Sequence, residues 1–314
     1  MIINKVEKLS SQPMFFQLEK HFGLNNLFLK IEGLNIAGSI KIKTALSLID
    51  QLERAGVSPS KNKIIESSSG NLGIALSIVC KSRGYTFTCV TDPNTSPYSE
   101  RLMRIYGANI LKVSQKDKQG GYLETRISLI EEMIKKNKNL IWTNQYSSFA
   151  NPLIHYEETA REILNQFAKV DYLFIGAGTT GTLVGCAEHV KKFSPQTQVV
   201  AVDSAGSVTF GGQPLPRFIP GLGTSKKPPI CDTKNVDEIV VIKESDAVQM
   251  CHFMLNKYGL FLGGSSGSVL QAVKKKKNIP KDACVVAISP DFGEKYIDTV
   301  YNPIWVKEKF NMEI

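Results

Sequence analysis

A chain of 314 residues, 42% of them hydrophobic, is long enough for one large or two medium domains around a core of ordinary size. Its 38 basic and 29 acidic residues leave a formal charge of +9. The lysines fall in short scattered runs, Lys274 to Lys277 the longest, with no interleaved aromatics or nucleic-acid signature, so no nucleic acid partner is expected and a basic field suits small anionic substrates.

No apolar run approaches the roughly 20 residues of a membrane span, and Met1 to Met14 lacks the apolar core of a signal peptide, so no membrane partner and a cytoplasmic location are expected. In chain order, Leu27 to Ile31 reads as a strand. It is followed by Gly38-Ser39-Ile40-Lys41-Ile42-Lys43-Thr44 and then a helical pattern with Ala45, Leu48, Ile49 and Leu52 on one face. Lys41 thus stands just ahead of a helix start. A lysine there is either an ordinary surface residue or, in a partly desolvated place, an amine of lowered pKa able to form a Schiff base.

From there β-rich runs alternate with helical ones. Lys63 to Glu66 leads into a helix over 73–81, Thr86 to Thr91 into 96–106, Asn109 to Val113 into 121–135, and Asn139 to Thr143 into 152–167. Asp171 to Ile175 leads into 182–193 and Thr197 to Asp203 into the irregular, Gly- and Pro-rich stretch 206–229; the helical runs 246–258 and 267–276 precede a last strand over 283–288. Repeated βα alternation predicts an α/β fold of parallel sheets covered by helices, and the length favours two sheets over one. The long irregular stretch is of the kind that carries function.

The chemistry-bearing residues gather where strands meet helices. Gly176-Ala177-Gly178-Thr179-Thr180-Gly181-Thr182 opens a helix and offers backbone N–H groups and a helix dipole to phosphate. It fits both a dinucleotide fingerprint, with Asp203 about 20 residues on, and a phosphate monoester site favoured by its three threonine hydroxyls. Ser67-Ser68-Ser69-Gly70-Asn71 is denser in hydroxyl and amide groups than a helix cap needs, which suits an amino-acid carboxylate. Gly263-Gly264-Ser265-Ser266-Gly267 is a third such turn, readable simply as a capped glycine turn. Asn144-Gln145-Tyr146 ends a strand with two amides and a phenol, and Arg126 can pair with a ligand carboxylate or with an acid on its own helix.

Cys80, Cys89, Cys186, Cys231, Cys251 and Cys284 lie far apart, as reduced thiols packed like small hydrophobes would. The histidines, His21, His155, His189 and His252, show no metal-ligand spacing and no catalytic triad pattern, so no metal is expected.

Together, Ser39-Ile40-Lys41, Ser68-Ser69-Gly70-Asn71, Gly178-Thr179-Thr180-Gly181-Thr182 and Gly264-Ser265-Ser266-Gly267 resemble, in order and spacing over nearly the whole chain, the motif set of fold-type II pyridoxal-phosphate enzymes, the cysteine synthase family. The resemblance implies a tryptophan synthase β-like fold of two open, twisted, mainly parallel sheets with helices on both faces. It also implies a larger cofactor-binding domain over 1–40 plus 145–314 and a smaller, mobile substrate domain over 41–144. Lys41 would hold pyridoxal 5'-phosphate as a Schiff base and shuttle the Cα proton. Asn71 would bond the cofactor's 3'-oxygen, Gly178 to Thr182 its phosphate and Ser265 its ring nitrogen, while Ser68, Ser69 and Gln145 would take the substrate α-carboxylate. A serine at the ring nitrogen makes a weak electron sink, which favours β-elimination and β-addition.

Within the family, Gly120 to Ile127, Asn144 to Tyr146, Gly206 to Gly211 and Ile219 to Gly223 resemble the 2,3-diaminopropionate-biosynthesis branch of siderophore and antibiotic pathways. That branch joins O-phospho-L-serine to L-glutamate, with Arg126 and Tyr146 in substrate selection, a homodimeric assembly and a dehydrogenase to cleave the product. The chain departs from cysteine synthases at Ile42-Lys43, where they carry Asp-Arg, and from the staphyloferrin-type enzyme at Gly178, where that enzyme has serine. The alternatives are a cysteine synthase using O-acetylserine or O-phosphoserine with sulfide and, more distantly, an NAD-binding oxidoreductase.

Overall fold

The apolar runs become strands and the amphipathic ones helices in a computed structural model that describes residues 3, 5–10, 12–18, 22–117 and 120–314. The first part of the chain supplies β1 (Met14–Gln17), β2 (Asn26–Ile31), α1 (Lys41–Arg54), β3 (Lys63–Ser67), α2 (Asn71–Arg83), β4 (Phe87–Thr91), α3 (Pro97–Ile105), β5 (Asn109–Lys112), α4 (Leu123–Lys136) and β6 (Leu140–Trp142). Then come α5 (Ala150–Ile154), a π-helical turn (His155–Thr159), α6 (Ala160–Gln166), β7 (Tyr172–Gly176), α7 (Gly181–Phe193) and β8 (Gln198–Ser204). The chain ends with β9 (Glu238–Ile242), α8 (Glu244–Tyr258), α9 (Gly264–Lys275), β10 (Cys284–Ser289) and α10 (Pro303–Phe310).

Two sheets result. One has the order β1-β2-β10-β7-β8-β9, the other β5-β4-β3-β6. Every pairing is parallel except β1 with β2. Runs such as Val199 to Val202 and Val285 to Ile288 are buried along their whole length, the pattern of strands covered on both faces. The smaller sheet has its own core with α1 and α2, built from Ile42, Ala45, Leu48, Ile64, Ile74, Val79 and Phe87. α2 is buried from Leu72 to Cys80, so it shows almost no apolar stripe. Local signals set several ends: Ser96 caps α3 ahead of Pro97, Asn302 caps α10 ahead of Pro303, and left-handed Gly84 and Gly259 stop α2 and α8.

The structure refines the boundaries where it matters for function. Lys41 is the first residue of α1, Asn71 the first of α2, and Ser265 lies within the first turn of α9, so these motifs form helix starts and not preceding loops. First-turn N–H groups have no intrahelical partner in any case, so Gly, Ser and Asn cost little there. The continuous helix expected over 152–167 is interrupted by the π turn. Strands β1 and β9 and helix α10 carry no strong periodicity and were not anticipated. Among the described residues no helix is long and apolar enough to cross a membrane.

Candidate active site

The carboxyl ends of β7 and β10 and the start of α1 border a cavity, partly open to solvent, lined by Lys41, Gly178 to Thr182, Gly221, Ser265 and Pro290 among others. Ligand sites in α/β sheets form at such carboxyl ends. Lys41 is carried there by a pinned turn. Asn35 accepts the Ala37 N–H at 3.0 Å and donates to Ser39 O at 3.0 Å, Lys295 Nζ donates to Gly38 O at 2.9 Å, and the Ile40 N–H donates to Pro290 O at 2.8 Å. The amine of Lys41 is enclosed by protein, and its burial pushes the pKa down to about 8 against the pull of Glu66.

The turn between β7 and α7 is a phosphate cradle in form. α7 starts without a side-chain cap, so its first N–H groups are open to a ligand. Thr180 sits at φ +68°, a costly conformation for a β-branched residue, and its buried Oγ1 interacts with the Cys231 thiol and makes no tight hydrogen bond. Thr179 Oγ1 accepts from Asn151 Nδ2 at 3.0 Å, which leaves its own proton to donate, and Thr182 Oγ1 lies 3.2 Å from His155 Nε2. A Cβ on Gly178 would stand 2.5 Å from Gly221 O, and one on Gly181 2.1 Å from Asn151 Oδ1, so both approaches require glycine. The stretch 206–229 lies over this turn, with the Gly223 N–H donating to Ala177 O at 2.8 Å and Arg217 Nη1 to Leu222 O at 3.0 Å.

His155 sits in the π turn, fully buried, with Nδ1 3.0 Å from Thr159 Oγ1 and Nε2 3.2 Å from Thr44 Oγ1. Burial, with Lys41 and Lys43 near, holds its pKa well below the usual range, so the ring is neutral. Ile42 packs in the smaller core, and Lys43 reaches Glu162 at 2.9 Å and Glu32 at 3.4 Å. Neither lines the cavity around Lys41.

The amino-acid residues form a second group. Asn71 Nδ2 donates to Asp291 Oδ2 at 2.7 Å, next to the cavity-lining Pro290, while Asn71 Oδ1 is buried and unpaired. Ser68 Oγ accepts the N–H groups of Gly70 at 3.3 Å and Gly73 at 3.0 Å; Ser69 is half-buried. Gln145 Nε2 donates to Ser67 O at 3.1 Å. Arg126, only 7% exposed, pairs with Asp92 at 3.3 Å and not with an acid of its own helix; its buried Nε and Nη1 make no hydrogen bond. Burial raises the Tyr146 phenol pKa, opposed by Arg126. Asp291 is also raised by burial, opposed by Lys295 and by the bond from Asn71. None of Ser68, Ser69, Gln145, Arg126 and Tyr146 lines the cavity around Lys41.

Glu66, Asp291 and His155 escaped the sequence reading. Only Glu66 had a local signal, an acid closing an apolar strand. Cys80, Cys89, Cys186 and Cys251 are buried, and Cys231 and Cys284 half-buried. His21 lies outside the described residues.

An enclosed low-pKa amine, an uncapped helix start flanked by threonine hydroxyls, and glycines that admit no Cβ together fit an aldehyde cofactor bearing a phosphate monoester. Residues 13–291 match the family described as "Pyridoxal-phosphate dependent enzyme". The chain is 38% identical to the N-(2-amino-2-carboxyethyl)-L-glutamate synthase of Cupriavidus metallidurans, over 98% of this chain and 92% of that protein. It is 40% identical to the synthase of the same name from Ralstonia nicotianae, over 89% and 83%. Among solved structures, a hydrogen sulfide-producing enzyme from Fusobacterium nucleatum superposes with a TM-score of 0.88 at 31% identity, covering 94% of this chain and 100% of that one.

Proposed function

The chain belongs to the pyridoxal-phosphate-dependent enzymes, and within them we propose that it joins O-phospho-L-serine to L-glutamate, giving N-(2-amino-2-carboxyethyl)-L-glutamate and phosphate. The product is a precursor of L-2,3-diaminopropionate for siderophore or peptide-antibiotic synthesis. Identity of 38% and 40% to two synthases of that name carries the choice of product. Those relatives support this reading over a sulfide-using cysteine synthase. Lys41 in the same cavity as Gly178 to Thr182 is a placement that a dinucleotide-binding oxidoreductase leaves unexplained.

Pyridoxal phosphate supplies the electron sink that lets the Cα–H bond of an amino acid break. Lys41 would hold it covalently, the 178–182 turn its phosphate, Asn71 its 3'-oxygen and Ser265 its ring nitrogen. With the cofactor bound, Lys41 Nζ would take the Cα proton of the substrate and later return it, a role served by an amine whose pKa lies near the working pH. Ser68, Ser69 and Gln145 receive the α-carboxylate, and Arg126 and Tyr146 select the anionic side chain. In balance, the Cβ–O bond of phosphoserine breaks, the glutamate nitrogen bonds to Cβ, and phosphate leaves with the proton released by that amine.

The segment 41–144 is read as the domain that closes over the amino acid, against the larger one formed by 1–40 plus 145–314. A cytoplasmic homodimer with a dehydrogenase acting on its product completes the reading. Exposed Phe149, Leu153 and Phe193 around α5 and α7 support a second copy. The test is to supply both substrates to the purified protein and follow phosphate and product by mass. Stoichiometric phosphate and C–N-linked product support the reading, whereas phosphate without that product refutes it.

A further inference from the structure

A carboxylate stands directly beneath the loop read as a carboxylate site. Glu66, fully buried, ends the apolar part of β3 just before the Ser67 to Asn71 loop. Its Oε1 accepts the Ser67 N–H at 2.7 Å and Trp142 Nε1 at 3.1 Å, and its Oε2 accepts the Gln145 N–H at 3.1 Å and the Thr143 hydroxyl. Gln145 answers with its side chain, Nε2 donating to Ser67 O at 3.1 Å. A closed ring of hydrogen bonds therefore joins the end of β3 to the segment after β6. Burying a charge is costly unless its lone pairs are filled, and here four donors fill them.

The ring also sorts the N–H groups of the loop. Those of Ser67 and Gln145 turn inward to Glu66, that of Ser68 goes to Val90 O at 3.1 Å, and those of Gly70 and Gly73 go to Ser68 Oγ. Among the described residues, the N–H groups of Ser69, Asn71 and Leu72 are left, at a helix start with no side-chain cap.

We propose that Glu66 is the positioning residue of the amino-acid site: its buried carboxylate locks the Ser67 to Asn71 loop to Gln145 and so presents the remaining donors to the substrate α-carboxylate. This rests on the reading of that loop as the α-carboxylate site. Glu66 lies in the smaller sheet and hydrogen-bonds to no residue of the phosphate turn. It reaches Lys41 only through its charge, which opposes the lowering of that amine's pKa, so the effect of its hydrogen bonds falls on the amino acid, and Thr143→Val separates the two because it keeps the charge. A glutamine at 66 keeps the volume but, whichever way its amide turns, sets an NH2 against at least one N–H that can only donate, Gln145 N–H on one side or Ser67 N–H and Trp142 Nε1 on the other, which opens the ring.

The experiment compares wild type, Glu66→Gln and Thr143→Val, each loaded with pyridoxal phosphate. The cofactor dissociation constant is measured by equilibrium dialysis. The dissociation constants of O-phospho-L-serine and, separately, L-serine are measured by titrating the visible absorption before glutamate is added. Glu66→Gln is expected to leave cofactor affinity within about twofold of wild type and to weaken both amino acids about 10- to 100-fold, the effect of losing a hydrogen bond to a charged group. Thr143→Val, which removes one spoke of the ring, is expected to weaken them about 3-fold or more. Unchanged amino-acid affinity in Glu66→Gln overturns the proposal, as does equal weakening of cofactor and amino acids, which marks a general packing role. If Glu66→Gln does not fold, the same comparison on Thr143→Val decides. If wild type binds L-serine but ignores phosphoserine, the substrate reading falls while the L-serine arm still tests Glu66.

Discussion

Asn71 and Asp291, 220 residues apart in sequence, meet through a 2.7 Å hydrogen bond that ties the start of α2 in the smaller sheet to the exit of β10 in the larger. The same Asp291 oxygen accepts the Tyr296 hydroxyl at 2.8 Å, and a Cβ on Gly263 would lie 2.0 Å from its other oxygen, so that position has room only for glycine. The bond aims one N–H of the Asn71 amide at Asp291, and in the proposed reading the other is the one that would meet the cofactor's 3'-oxygen.

Asp291→Ala therefore frees the Asn71 amide to rotate and should weaken pyridoxal phosphate binding about tenfold. Asp291→Asn, whose Oδ1 can still accept from Asn71, should retain most of the affinity. Equilibrium dialysis checks both. Equal losses in the two variants would mean that the carboxylate charge matters and the orientation does not.

Lys41 makes two predictions. Borohydride reduction of the loaded protein followed by peptide mapping should place the pyridoxyl label on Lys41. In the cofactor-free protein, the Lys41 amine is held at about 8 against 10.5 when unfolded. The unfolded chain thus binds more protons between those values, and stability should rise with pH through that window. Below it, the charged buried amine costs on the order of 3 kcal/mol. Lys41→Met should accordingly be inactive yet melt at a higher temperature than wild type at pH 7, with a flatter alkaline profile.

His155 is neutral because it is buried, and its pKa is depressed well below the ordinary 6.5. Its contribution is present above the unfolded pKa and is lost as pH falls below 6.5 towards the folded value, because the unfolded chain takes up the proton first. Acid unfolding of His155→Gln should be less steep below pH 6.5, as followed by circular dichroism. Loss of the contact to Thr182 should also weaken cofactor binding several-fold.

Gly178 faces the backbone of Gly221 at a distance no side chain fits. Gly178→Ser should displace the segment over the phosphate turn and lower cofactor affinity about tenfold or more, although serine adds a hydroxyl suited to phosphate. Tighter binding in this variant would show that the segment yields easily.

The sequence made the strand-to-helix turns legible because each concentrates Gly, Ser, Thr or Asn beyond what a cap needs. It also showed the parallel sheets, since their strands are continuous apolar runs. What it hid were single residues whose roles depend on distant partners. Asp291 acts through Asn71, His155 through Thr44 and Thr182, and Glu66 through Trp142, Thr143 and Gln145. An isolated acid or histidine carries no periodic signal. The π turn was hidden for a similar reason: it lies against α7 so closely that a Cβ on Gly185 would stand 2.8 Å from Tyr156 N. Ile42 and Lys43 stood out because cysteine synthases carry Asp-Arg there, yet α1 places Ile42 in the smaller core and Lys43 against Glu162, and neither lines the cavity.

The most direct test of the central claim is a visible absorption titration of the purified, cofactor-loaded protein. A yellow band is expected, with a spectral change on adding O-phospho-L-serine, release of one equivalent of phosphate, and return to the starting spectrum when L-glutamate is added but not with sulfide. A return driven by sulfide with no response to glutamate, or no visible band at all, would contradict it.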